Sequence, residues 1–509
     1  MQLYINKKFG YHHFLLALLP VLLISLDNIN EIPIYDIIVP LFLSLAIVFV
    51  PWMILTFFIG QKKSAVIISL LIIMLMIFAY TRLVVSHHEI LDVRFISKNI
   101  ILIPIFSLPT IFIIIKILRQ EFSSNITQII NVVSIAVVGL MIFQVGLFYS
   151  EDISIDQAQE LLNVPLFEIH DLDQRPNVYL LLLDAYSGDI TLKNDFDFDN
   201  SKFYKQLEER GFFVQKDSFS NYPNTAISMP SIMNMNYLDF ISQLPEKKSS
   251  DLRIVQELAN QNKVMQVFES VGYEIYSFHG NYGRSDIVTE NFCRYNLDLN
   301  PELAYALINY YIPISDIREK LFEQQIYDTV LCVFDTTRDF ENPTKKSFYM
   351  HMHVLFPHEP FLFDSEGNKV KATYSENRFD SELKESYLQQ LIFANKKTLE
   401  IIDSIQQRNS NDVIILMSDH GGRFGVNWAE PSEMDYFRGL ENLYALYFPG
   451  NESDIPTSIA TVNTFRVFFN TYFNTDYEIL DEKFYWYEPE SPFIQKDITE
   501  LIKSSSLRE

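Results

Sequence analysis

The sequence predicts a bundle of about five transmembrane helices followed by an external α/β domain with a mostly parallel central sheet. Three observations predict this. Apolar residues crowd into long runs before residue 150. Beyond it, short continuous apolar runs alternate with longer amphipathic ones, as expected of strands buried on both faces under crossover helices. The composition, 48% hydrophobic and 20% charged over 509 residues, fits neither a disordered chain nor an ordinary soluble one.

The membrane region, residues 1–150, holds apolar runs at about 11–27, 34–60, 64–86, 98–118 and 126–149. Four of them reach the roughly 20 residues that cross a hydrocarbon core of about 30 Å. The first is shorter and follows Lys7 and Lys8, as a signal peptide would, but no small-residue cleavage site follows and more spans come next, so it is counted as a span. Lys7 and Lys8, then Lys62 and Lys63, then Lys116 and Arg119 fall on alternate sides of the helices. That side is cytoplasmic by the positive-inside bias, and five crossings put everything after residue 150 outside a plasma membrane. His12 and His13 read as interfacial.

The segment 151–176 is an amphipathic connector ending at Pro176. From 177 to about 485 the order is "NVYLLLLD", a helix near 201–210, "GYEIYSFHG", "SFYMHMHVLF", a helix near 384–407, "DVIILMSDHGG" and "LYALYFPG". Residues 486–509 read as a C-terminal tail. Of the 40 basic and 64 acidic side chains, residues 1–150 hold 9 and 6, which leaves the remainder at a net −27. So acidic a domain repels polyanions and excludes nucleic acid as a partner. Cys293 and Cys332 are the only cysteines; an oxidising exterior permits one disulfide, and their spacing makes a poor metal site.

Each strand ends on chemistry. The first closes on Asp184, the next on His279 and Asn281, the third on His353 and His358, the fourth on Asp419 and His420. Ligands of open parallel sheets bind outside the carboxyl ends of the strands, so these side chains are expected on one rim. Asp184, Asp419 and His420 form an oxygen-rich set with one nitrogen that suits Zn²⁺ or Mn²⁺, with Mg²⁺ or Ca²⁺ also compatible. Thr225, in "NTAISMPS", can complete the set, because a bound divalent ion lowers the pKa of a coordinated hydroxyl and makes it a nucleophile. Taken singly the same residues have plainer readings: Asp184 as a helix cap, "SDHG" as a polar turn, Thr225 as an N-cap.

Asp184 after its apolar strand, "NTAISMPS", "HVLFPHEP" and "SDHGG", in that order, resemble the sulfatase-like branch of the alkaline phosphatase superfamily. The layout is similar to that of the membrane phosphotransferases in it, the phosphoethanolamine transferases and lipoteichoic acid synthases, over about residues 177–450. The resemblance implies an alkaline-phosphatase-like α/β/α domain and a covalent phospho-intermediate on Thr225, with Asp184, Thr225, Asp419 and His420 holding one divalent ion. It implies that His353 and His358 face the phosphoryl oxygens or act as general acid and base, and that His279, Asn281 and Arg284 bind substrate. Three departures stand out: the first metal acid is glutamate in those transferases, no histidine follows His420, and several disulfides typical of phosphoethanolamine transferases are missing. "SMPS" imitates the sulfatase signature whose first residue is oxidised to formylglycine, but Ile232 stands in place of its arginine, and Asp184 is followed by Ala185 where sulfatases of that type have paired aspartates.

The function expected is transfer of a phosphorylated headgroup, phosphoglycerol- or phosphoethanolamine-like, from a membrane lipid or lipid-linked donor to an envelope glycan or lipid. The alternatives are a sulfatase-like hydrolase on the same rim (phosphodiesterase, phosphatase or sulfuric ester hydrolase) and a non-catalytic binding protein that keeps the fold.

Overall fold

The computed structural model describes residues 10–29, 34–87, 98–119, 124–149, 155–167, 175–243, 252–279, 293, 315–375 and 379–508. They fall into two compact units, one from 1–152 with 298–322, the other from 153–297 with 323–509.

The first unit contains helices α1 (His12–Asp27), α2 (Ile34–Ile59), α3 (Gln61–His87), α4 (Lys98–Arg119) and α5 (Ser124–Tyr149). α2 to α5 are long and apolar enough to cross a membrane. At 16 residues, α1 spans only about 24 Å. Large apolar side chains point outward, with Phe57 85% and Phe112 69% exposed. Such a surface suits lipid and not water, which makes this a membrane protein. Most of α1 is instead buried. His12 and His13, expected at the interface, have no exposed surface. His12 Nδ1 lies 2.5 Å from Ser69 Oγ, and Asn131 Oδ1 accepts from the amides of Tyr11 and His12 at 3.2 and 3.1 Å. A side chain of α5 thus satisfies amides that the first turn of α1 leaves open.

In the second unit α6 (Ile155–Leu162) buries Ala158 and Leu162 in the main core, so this part of the expected connector is packed. The strands are β1 (Val178–Leu183), β2 (Phe213–Val214), β3 (Glu274–His279), β4 (Phe348–Val354), the hairpin β5 (Phe361–Phe363) and β6 (Lys369–Thr373), β7 (Val413–Met417) and β8 (Tyr444–Tyr447). Six of them form one sheet in the order β2-β8-β7-β1-β4-β3. β7, β1, β4 and β3 run parallel, and β8 is antiparallel to both β7 and β2. The strand of "LYALYFPG" is therefore an antiparallel addition to a mostly parallel sheet. Successive side chains of a strand face opposite ways. Leu180, Leu182, Ile415 and Met417 pack with Ile227, Val264, Phe465 and Phe468. Tyr179, Leu181, Ile414 and Leu416 face the other way and are buried too, as are Leu391, Ala394 and Ile402 of the helix Ser381–Arg408.

The tail expectation fails. Beyond residue 485 the strand Tyr485–Trp486 pairs with Lys496–Asp497, and Trp486, Ile498 and Ile502 pack with Phe219, Phe437 and Leu440. The domain runs to residue 508, and the segment was illegible because its apolar residues follow neither period 2 nor period 3.6. Cys293 and Cys332 form a disulfide that ties residue 293 to the helix Ser315–Arg338.

Candidate active site

β1 lies between β4 and β7, with Leu182 opposite His353 and Met417. That register brings Asp184, just past β1, between His353 and the Asp419–His420 pair just past β7. The backbone turns at once after Asp184. Ala185 has a φ of 60°, the amide of Tyr186 donates to Ser418 Oγ (2.9 Å), and the amide of Ser187 donates to Tyr387 Oη (2.9 Å). On the other side Ser418 Oγ donates to the carbonyl of His420 (2.7 Å) and Asn442 Nδ2 donates to that of Ser418 (2.5 Å). A Cβ on Gly421 would strike the carbonyl oxygens of Arg438 and Glu441, so only glycine fits where this loop crosses its neighbour.

The helix Thr225–Met233 enters the site from its N-terminus. Its N-cap is Asn224, whose side chain accepts from the amide of Ala226 at 2.8 Å. Capping therefore does not occupy Thr225, and its Oγ1 lies 3.0 Å from His420 Nε2. The other two hydroxyls of "NTAISMPS" face elsewhere: Ser228 Oγ donates to the carbonyl of Asp419 (2.7 Å) and Ser231 Oγ to that of Asn236 (2.8 Å). Each of these two hydroxyls is thus engaged by a backbone carbonyl.

Asp184, Asp419 and His420 bring their ligand atoms within 4.8 Å of one another. His420 Nε2 is 3.5 Å from Asp184 Oδ1 and 3.4 Å from Asp419 Oδ2. Ligands at roughly 2.0–2.2 Å from one tetrahedral ion stand roughly 3.3–3.6 Å apart, so these separations fit a divalent cation. Two further observations agree. Asp184 Oδ1 and both oxygens of Asp419 are buried without a hydrogen-bond partner, an arrangement that costs several kcal/mol per carboxylate unless a cation compensates it. His420 Nδ1 donates to the carbonyl of Gly421 at 2.7 Å, which leaves the Nε2 lone pair aimed at the cluster.

The charges interact strongly. Burial would raise Asp184, but His358, His353 and His420 hold it well below the usual carboxylate range. Burial and the Arg423 charge lower His420. Burial also opposes the protonated form of His353, yet Asp184, with Oδ2 3.4 Å from His353 Nε2, and then Asp419 raise it overall.

The structure thus brings Asp184, Thr225, His353, Asp419 and His420 together, and His358 acts on Asp184 from the loop after β4. His279 ends β3 in register with His353, but its side chain, together with Asn281 and Arg284, lies outside the described residues. Sequence reasoning missed Arg423, whose Nη2 lies 3.2 Å from His358 Nε2, and Glu441, whose buried carboxylate accepts from the amides of Ile190 and Thr191 and from Thr191 Oγ1, each at 2.7 Å. Arg423 was findable, three residues past His420; Glu441 carried no signal beyond its place just before β8.

The sulfatase family model matches residues 176–462, more than half of the chain and all of the site. The chain belongs to the sulfatase family. It is accordingly an enzyme of the alkaline phosphatase superfamily. No curated protein matches it significantly. Among solved structures, similar ones include the C-terminal periplasmic domain of EcEptC from Escherichia coli in complex with Zn (11% identity, 67% of this chain and 97% of that one, TM-score 0.42). Another is the integral membrane protein lipooligosaccharide phosphoethanolamine transferase A from Neisseria meningitidis (12% identity, 87% and 90%, TM-score 0.36). A putative sulfatase from Bacteroides fragilis is also similar (11% identity, 64% and 84%, TM-score 0.37).

Proposed function

We propose that this sulfatase-family enzyme transfers a phosphorylated headgroup, phosphoglycerol- or phosphoethanolamine-like, from a membrane lipid or lipid-linked donor to an envelope glycan or lipid, on the extracytoplasmic side of the plasma membrane. The observation that carries it is the position of Thr225. The one hydroxyl of its helix not bonded to a carbonyl faces His420 Nε2 beside two buried carboxylates with three unpartnered oxygens between them, at a helix N-terminus where backbone amides favour phosphate and developing negative charge. Asp184, Thr225, Asp419 and His420 would hold one divalent ion, Zn²⁺ or Mn²⁺. Such an ion lowers the pKa of a coordinated hydroxyl and offsets charge on the phosphoryl oxygens.

The chain's residues then work in two half-reactions. Thr225 Oγ1, already deprotonated, attacks phosphorus, its bond to phosphorus forms as the bond to the donor's oxygen breaks, and a proton from His353 meets the departing oxygen. An acceptor hydroxyl attacks the phosphothreonine and gives its proton to His358, which returns it through water to His353, and the Thr225 oxygen leaves with its electron pair. Several apolar helices in the same chain favour a donor that never leaves the bilayer, since a tethered site meets it at high effective concentration. The Cys293–Cys332 disulfide is consistent with an oxidising compartment.

Intact-mass analysis of purified protein incubated with membrane lipids tests this. The expected result is an adduct on Thr225, lost in Thr225→Ala, with release of the matching lipid remnant. Hydrolysis of soluble esters without any release of lipid product from membrane donors would instead favour the hydrolase. An adduct or formylglycine on Ser228 would overturn the assignment of the nucleophile.

A further inference from the structure

The loop that delivers Asp419 and His420 runs through two glycines into Arg423, which has no part in the two half-reactions above. Its backbone is left-handed, with φ 60°, a conformation uncommon for a residue with a Cβ and often associated with functional sites. The amide of Arg423 is fixed by the carbonyl of Arg438 at 2.9 Å. Among the described residues Arg210, Arg338, Arg438 and Arg508 pair with carboxylates, whereas the side-chain partner of Arg423 is the ring of His358, Nη2 to Nε2, at 3.2 Å. A guanidinium is always charged and only donates. Its partner is therefore a neutral imidazole: His358 Nδ1 donates to the carbonyl of Glu359 at 2.7 Å, and Nε2 accepts from Arg423. Arg423 stands three residues past His420, on which its charge acts, so the pair lies beside the cluster. A cation half-buried next to an anion-transfer site, bonded to a weak neutral acceptor, keeps most of its donors for a stronger one.

We propose that Arg423 is a catalytic residue that grips the non-bridging oxygens of the phosphoryl group with its guanidinium fork and, until that group arrives, occupies the Nε2 lone pair of His358. This rests on the phosphotransfer reading for its chemistry. Charged phosphoryl oxygens are better acceptors than a neutral imidazole and match the planar fork. When the substrate takes the Arg423 donors, Nε2 is released. In the second half-reaction the acceptor's O–H proton then passes to Nε2 as the acceptor oxygen bonds to phosphorus and the phosphorus–Thr225 bond breaks, its electron pair staying on Thr225 Oγ1. Arrival of substrate thereby frees the base that the acceptor needs.

The test titrates inorganic phosphate into the full-length protein in detergent with Mn²⁺ or Zn²⁺ added, by calorimetry, alongside the metal isotherm and the Thr225 adduct assay. Arg423→Gln is expected to weaken phosphate binding about ten- to hundredfold, the range for losing a charge-assisted bidentate contact, while metal affinity is not lost. Arg423→Lys, which keeps the charge and loses the fork, is expected to lie between. Thr225→Ala should abolish the adduct, yet Arg423→Gln made in that background should still weaken phosphate binding by the same factor. Equal phosphate affinity in the wild type and in Arg423→Gln, no phosphate binding by the wild type, or an equal loss of metal affinity in Arg423→Gln overturns the proposal. A wild type that never acquires an adduct overturns the phosphotransfer reading alone, because the phosphate isotherms do not depend on it.

Discussion

Glu441 has no exposed surface, and burial pushes its carboxyl up to about 7 from the ordinary 4.5, against the opposing pull of three donors. The group holds the first turn of the helix Asp189–Phe196, which follows the turn after Asp184, so its state affects how that turn is anchored. A folded value above the unfolded one means that the native state binds the extra proton. The contribution to stability is complete below about pH 4.5 and is lost as pH rises through about 7, a change of up to roughly 3 kcal/mol over that window. Melting curves between pH 4.5 and 8 should therefore show a decline that Glu441→Gln flattens. Glu441→Ala removes the acceptor altogether and leaves the buried amide and hydroxyl of Thr191 and the half-buried amide of Ile190 unpaired, at a cost of about 3 kcal/mol or more.

At the scale of elements, the helix Thr225–Met233 shows how one position separates the cap from the proposed nucleophile. Asn224 takes the cap, so Thr225 becomes the first helical residue and its hydroxyl turns to His420. Asn224→Ala is expected to cost about 1 kcal/mol and to lower adduct formation on Thr225, whereas Asn224→Asp should keep the stability; thermal melts with the mass assay check both. The sequence made much of this legible. Asp184, Asp419 and His420 end apolar strands, and strand ends of a parallel sheet converge whatever the loops do. Which hydroxyl of "NTAISMPS" faces them depends on helix phase, which spacing in one short turn does not define. The antiparallel β8 was illegible for another reason: a short buried strand has the same apolar run in either direction. Glu441 and Arg423 depend on where the helix Glu433–Leu440 returns against the "SDHGG" loop, a tertiary contact with no local pattern. The stretch 486–508 was lost because its buried side chains, such as Trp486 and Phe493, are spaced along the chain without periodicity.

In the whole molecule, the candidate metal residues all belong to the α/β unit, and this has a thermodynamic consequence. Asp419 is buried with both oxygens unpartnered, so without a cation it destabilises the fold that holds it. A cation that binds only the folded state stabilises it by mass action, about 2.7 kcal/mol at a free concentration one hundred times its Kd. The effect should fall on one unit alone. Trp428 and Trp486 stack at 4.9 Å within the α/β unit, and the third tryptophan, Trp52, belongs to the helices. In a Trp52→Phe background, tryptophan fluorescence therefore reports the α/β unit only. Addition of Mn²⁺ or Zn²⁺ should raise that transition and chelation should lower it, while helical ellipticity of the membrane unit stays unmoved. Asp419→Asn separates the two roles of the carboxylate. Replacing a buried, uncompensated charge with a neutral isostere should raise the melting temperature in chelator above that of the parent, and the same change should abolish the response to metal. A parent that melts identically with metal and with chelator would mean that the cluster holds no ion.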